Sequence, residues 1–150
     1  MRLVAGRTKM HSMSWDVWVF VATPEIERVD QLHADYEFPP LDRDAVLAAA
    51  RQVFGQIELL GETTIRLDGP DVWADCSLPS ARGTAYERGS LKLNVRGWSE
   101  NLIPRILEFA SQLGARAFDN QTGDWLTFDE GMQSLAHWSG YRDRTTGQTP

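Results

Sequence analysis

Between Ser14 and Ala22 the chain alternates tightly enough to predict a first strand. Trp15, Val17, Val19 and Val21 share one face, while Asp16, Trp18 and Phe20 share the other. Apolar side chains on both faces imply a central strand covered on both sides, or one with a helix above and a partner below, and Pro24 ends it. Residues 23–41 are acidic and interrupted by Pro39-Pro40, which predicts a long surface loop with at most a turn of helix. Asp42 then reads as the N-cap of a helix running to Phe54, with Gly55 as its stop. Val46, Leu47, Ala50, Val53 and Phe54 form its apolar stripe.

Beyond residue 55 the period shortens. Thr63–Leu67 and Val72–Leu78 flank Asp68-Gly69-Pro70-Asp71 and predict a hairpin, with Pro79 to Gly89 left as a loop. Ser90–Arg96 alternates, with Leu91, Leu93 and Val95 inward and Lys92, Asn94 and Arg96 outward. A second helix is capped by Ser99 or Asn101 and buries Leu102, Ile103, Ile106, Leu107, Ala110 and Leu113. Pro104 is tolerated because it falls near the first turn. Two strands, Ala115–Asp119 and Trp125–Phe128, follow around a polar turn, and Glu130–Trp138 predicts a short last helix. The order implies an α+β domain with two main helices on a mainly antiparallel sheet. Residues 1–12 read as a flexible leader, with the native start at Met13, residues 13–138 as one domain, and 139–150 as a polar tail.

Composition sharpens this picture in two ways. A chain of 150 residues with 42% hydrophobic positions is sized for one domain with a real core. The longest apolar run, Val17 to Ala22, is far too short for a membrane helix, and no apolar stretch follows the basic leader to make a signal peptide. One cysteine leaves no internal disulfide and suits a reducing cytoplasm. The net charge of −6 conceals an asymmetry: residues 13–80 hold 4 Arg against 13 Asp and Glu, whereas residues 81–150 balance 8 against 8. An acidic half opposes nucleic-acid phosphates and favours a basic protein partner.

Chemistry-bearing patterns are sparse. His11, His33 and His137 are scattered without metal-ligand spacing, and no phosphate-binding glycine loop or Gly-x-Ser-x-Gly elbow occurs. These patterns predict neither a metal nor a cofactor. Cys76 shares a face with Ala74 and Leu78, as a small buried hydrophobe would; a nucleophile served by His33 or His137 is the alternative. Asp119 and Asp124 flank a turn and suit backbone capping better than acid–base work. Of six tryptophans, Trp98 and Trp73 are expected to lie partly outside the core, Trp73 between Asp71 and Asp75.

Met13-Ser14-Trp15-Asp16-Val17 resembles the opening of a group of small bacterial proteins. Leu91-Lys92-Leu93-Asn94-Val95-Arg96-Gly97 resembles that group's strand entering the second helix. Ala115-Arg116-Ala117-Phe118-Asp119 and Gln121-Thr122-Gly123-Asp124-Trp125-Leu126 resemble its final hairpin. Small acidic proteins of this sort are similar to immunity proteins, which neutralise toxins of bacterial competition systems. The resemblance implies a non-enzymatic, cytoplasmic protein, monomeric or a small homo-oligomer, that occludes a basic toxin domain. The acids and aromatic residues then nominate Glu25, Glu27, Asp30, Asp35, Glu37, Asp71, Trp73, Asp75 and Trp98 as partner contacts. The competing readings are a small hydrolase or transferase using acids and Cys76, and a regulatory or structural subunit.

Overall fold

The computed structural model describes residues 15–23, 26–32, 36–80, 82–134 and 136. The expected leader and tail lie outside these residues. Seven strands are found: β1 (Trp15–Phe20), β2 (Ile57–Leu60), β3 (Thr64–Asp68), β4 (Val72–Ser77), β5 (Ser90–Trp98), β6 (Arg116–Asp119) and β7 (Asp124–Trp125). All pair antiparallel in one sheet of order β2-β3-β4-β5-β1-β6-β7. The helices are α1 (Arg43–Phe54), α2 (Ala85–Gly89), α3 (Leu102–Gln112) and α4, helical over 128–134 and at 136. The α+β class and the antiparallel sheet are as the sequence predicts.

The sheet is stitched in its middle by two strands distant in sequence. β1 lies between β5 and β6, with Val17 opposite Leu93 on one side and Asp119 on the other. Its Trp15, Val17 and Val19 join Ile65, Leu67, Ala74, Cys76, Leu91, Leu93 and Val95 in a face that α1 and α3 cover. α1 contributes Val46, Ala49, Ala50, Val53 and Phe54, and α3 contributes Leu102, Ile103, Ile106, Phe109 and Ala110. Phe54 and Phe109 meet where the helices touch, with ring centroids 5.4 Å apart. At roughly 25 cal/mol per Å² of apolar area removed from water, this layer is the dominant stabilising element.

Local chemistry sets the boundaries. Asp42 caps α1 through Oδ2, which accepts from the Ala45 amide at 2.9 Å, and Gly55 ends it at φ 87°, a value that only glycine adopts readily. Three elements depart from the sequence reading. β2 was not expected; its exposed pattern at the sheet edge carries no alternation, and its pairing with β3 creates it. The loop over 79–89 contains α2, whose start is a capping box: Thr84 Oγ1 accepts from Glu87 N, and Glu87 Oε1 accepts from Thr84 N. The last strand is Asp124–Trp125 and stops short of Phe128, because residues 128–134 already turn as helix. The described part of the expected Glu130–Trp138 helix is helical and starts two residues earlier.

The opposite face of the sheet differs between its two halves. Over β1, β6 and β7 it is covered by residues 26–32 and 36–41, the covering segment. Ile26 packs with Phe20 and Trp125, and Tyr36 Oη donates to the Val21 carbonyl at 3.0 Å while accepting from Thr23 N. Trp125 Nε1 donates to the Glu27 carbonyl at 3.0 Å, which ties the segment to β7. Phe38 stands edge-on to both Phe20 and Tyr36. Gly89 permits this close packing, since a Cβ there would sit 2.5 Å from Phe38 Cβ. Over β3, β4 and the far end of β5, none of the described elements is packed on this face.

Candidate functional site

The open half of the second sheet face is centred on Trp73. Strand alternation sends Val72, Ala74 and Cys76 into the core, leaving Trp73, Asp75 and Ser77 on the outside. A register shift between Trp73 and Ala74 places Trp73 opposite Gly97. A Cβ on Gly97 would be 3.3 Å from Trp73 Cβ, so glycine there lets the tryptophan lie close to β5. The Arg96 guanidinium sits 5.9 Å from the Trp73 ring centroid. Trp73 nevertheless remains 46% exposed.

Beside it, Asp75 is flanked by two cations. Its Oδ1 accepts from Arg66 Nε at 3.3 Å, and its Oδ2 lies 3.5 Å from Arg96 Nη2. Partly exposed pairs like these stabilise by only about 0–1 kcal/mol each, and they orient the two long side chains of Arg66 and Arg96 toward the Asp75 carboxylate. Asp68, opposite Trp73, and Glu58, opposite Arg66, stand on the same face, so three carboxylates meet two guanidiniums and the patch keeps the acidic balance that the sequence around Trp73 suggests.

Asp71 is engaged inside the fold. It accepts from Ser99 Oγ at 2.8 Å, Asn101 Nδ2 at 3.2 Å and Arg105 Nε at 3.3 Å. The Ser99 and Asn101 hydrogen bonds, followed by Arg105, hold its carboxyl below the usual carboxylate range. This arrangement links the β3–β4 turn to the start of α3. Glu27, Asp30 and Glu37 are exposed on the covering segment, and Asp30 pairs with Arg28 at 3.1 Å. Glu25 and Asp35 lie outside the described residues, as does the Trp98 side chain. The nominated residues therefore do not form one cluster: Trp73 and Asp75 share the open half, and Glu27, Asp30 and Glu37 share the covered half.

The alternative nucleophile is Cys76. Its side chain is fully buried, Sγ donates to the Ser77 carbonyl at 3.3 Å, and burial pushes the thiol up to about 12. At neutral pH it holds its proton. Among the described residues no group of His, Cys, Asp and Glu is arranged to hold a metal ion, and no helix is long and apolar enough to cross a membrane.

A feature that the sequence reading missed lies under the covering segment. Trp18, Phe20 and Phe118 from the sheet, Val29, Leu32 and Phe38 from the segment, and Ser90 line a cavity of about 360 Å³. The alternation of Trp18 and Phe20 was legible, but the wall formed by Val29, Leu32 and Phe38 arrives through tertiary contacts that no local pattern announces. Comparison of the chain with protein-family models, curated proteins and solved structures finds no match in any of the three.

Proposed function

We propose that this chain is a non-enzymatic protein-binding domain, of the immunity-protein kind, whose partner is a basic protein such as a toxin domain. The observation that carries the reading is Trp73, a large ring held in place by Arg96 and Gly97 yet 46% exposed on the open sheet half. An exposed indole forgoes its hydrophobic gain until a partner covers it, and Trp and Arg are the side chains most enriched at binding hot spots. Trp73, Arg66 and Arg96 supply that composition on a strand-built platform.

The acids act in a second role. Exposed Glu27, Asp30 and Glu37 lie on the same side of the sheet, and the acidic half of the sequence gives a long-range field that attracts a basic partner. From strand spacing and rise, Trp73 and Trp18 are about 20 Å apart, within the span of one interface of roughly 800 Å² per partner. Occlusion would thus combine steering by the segment with anchoring by Trp73. The buried, protonated thiol of Cys76 weighs against the hydrolase or transferase alternative.

The test uses association and dissociation rates for the captured partner. Charge reversal at Glu27, Asp30 and Glu37 should slow association and flatten its salt dependence, whereas Trp73→Ala should speed dissociation. A partner indifferent to both variants would contradict the proposal.

A further inference from the structure

The covered half of the sheet points to a second site, independent of Trp73. The cavity has a volume of about 360 Å³, at the lower end of the range for small-molecule sites. At about 30 Å³ per water-sized group, it holds on the order of ten non-hydrogen atoms. Its lining is aromatic and aliphatic apart from Ser90, so the body of any ligand must be apolar.

Two cations stand one residue beyond its lining. Lys92 is the cross-strand partner of the cavity residue Trp18, and its ammonium lies 5.5 Å from the Trp18 ring centroid. Arg116 is the cross-strand partner of the cavity residue Phe20, and its guanidinium lies 4.1 Å from the Trp125 ring centroid. Among the described residues, no carboxylate pairs with either cation. The nearest acid along β1 on that face, Asp16, accepts from Asn94 Nδ2 at 2.7 Å. Asp30 on the covering segment is paired with Arg28. An apolar cavity with an unmatched ammonium beside one of its walls suits an amphipathic anion.

We propose that this cavity binds a small organic monoanion, with its apolar body among Trp18, Phe20, Phe38 and Phe118 and its carboxylate on Lys92. A medium-chain fatty acid and an arylacetic acid share this chemistry, and octanoate and phenylacetate are the probes that represent them. Calorimetric titration of the full chain should show saturable binding of one stoichiometric equivalent of at least one probe. Lys92→Met should weaken that binding at least tenfold, with the circular dichroism spectrum unchanged, and Lys92→Arg should retain it. Leu32→Trp, which fills the cavity from the segment side, should abolish binding in a folded protein. Failure of both probes to bind, or binding undiminished in Lys92→Met, would overturn the proposal. Trp73→Ala should leave probe binding intact, so this result and the protein-binding result can fail separately.

Discussion

The indole Nε1 of Trp15 donates to Oδ1 of Asp119 at 2.8 Å, joining positions 104 residues apart inside the buried edge of the core. The same carboxylate accepts from Gln121 N at 2.9 Å and from Ser134 Oγ at 2.7 Å. One buried side chain therefore fixes β1, the turn after β6 and the helix over 128–134. Its remoteness from Trp73 makes it a structural residue in the proposed account.

Asp119→Ala should destabilise the fold by about 3 kcal/mol, because two buried donors, Trp15 Nε1 and Ser134 Oγ, lose their acceptor together with the partly buried Gln121 amide. Asp119→Asn should cost about 1 kcal/mol, since its carbonyl can still accept from Trp15 and Gln121 while its amide donates to Ser134. Urea midpoints at constant slope measure both. Equal effects of the two substitutions would show that the hydrogen bonds contribute little.

Cys76 gives an alkaline signature. Its folded-state thiol titrates at about 12 against 9.0 in the free side chain. The stabilising contribution is complete below pH 9 and is lost as pH rises from there toward 12, because the unfolded chain ionises first. The loss should reach about 1 kcal/mol at pH 10, and Cys76→Ala should remove that part of the slope. Thiol labelling of the native protein should run no faster than unfolding; rapid labelling at neutral pH would contradict burial.

Asp71 gives the opposite signature at acid pH. Its folded carboxyl lies below the ordinary 3.8, so its contribution is present above that value and is lost as pH falls below it. Asp71→Asn should therefore flatten the loss of stability between pH 5 and pH 3, measured by urea unfolding. An unchanged acid slope would mean that the contacts with Ser99, Asn101 and Arg105 do not persist in solution.

Much of the fold was legible because its elements carry their own signals. Asp42 and Gly55 bound α1 where their capping chemistry places them, and the alternation of Leu91, Leu93 and Val95 survives as the core face of β5. Trp73 was legible as a partly exposed ring because acids flank it on a predicted strand. The Thr84-x-x-Glu87 capping box was present in the sequence, and it was the one available signal for α2. β2 had none, since Glu58 and Leu59 both face water and its pairing with β3 creates the strand. The pairing of Arg66 and Arg96 with Asp75 was also hidden: it depends on which strands are neighbours, a property of topology that periodicity does not encode. The aromatic cavity depends in the same way on where the covering segment returns.

Segment acids and anchor should separate kinetically. With Glu27, Asp30 and Glu37 reversed to Lys, association should slow several-fold at low salt and approach the wild-type rate at high salt, with stability within about 0.5 kcal/mol. Stopped-flow measurement against the isolated partner reads this directly. An unchanged association rate would leave those acids without a steering role.

The central claim is that Trp73 anchors a basic protein on the open sheet face. Its most direct test is parallel affinity capture from source-cell lysate with wild type and Trp73→Ala, followed by affinity measurement on the identified partner. The wild-type chain should capture one dominant basic protein, bound about 30-fold more weakly by Trp73→Ala, equivalent to about 2 kcal/mol. A partner that binds both proteins equally, or that is acidic, would contradict it.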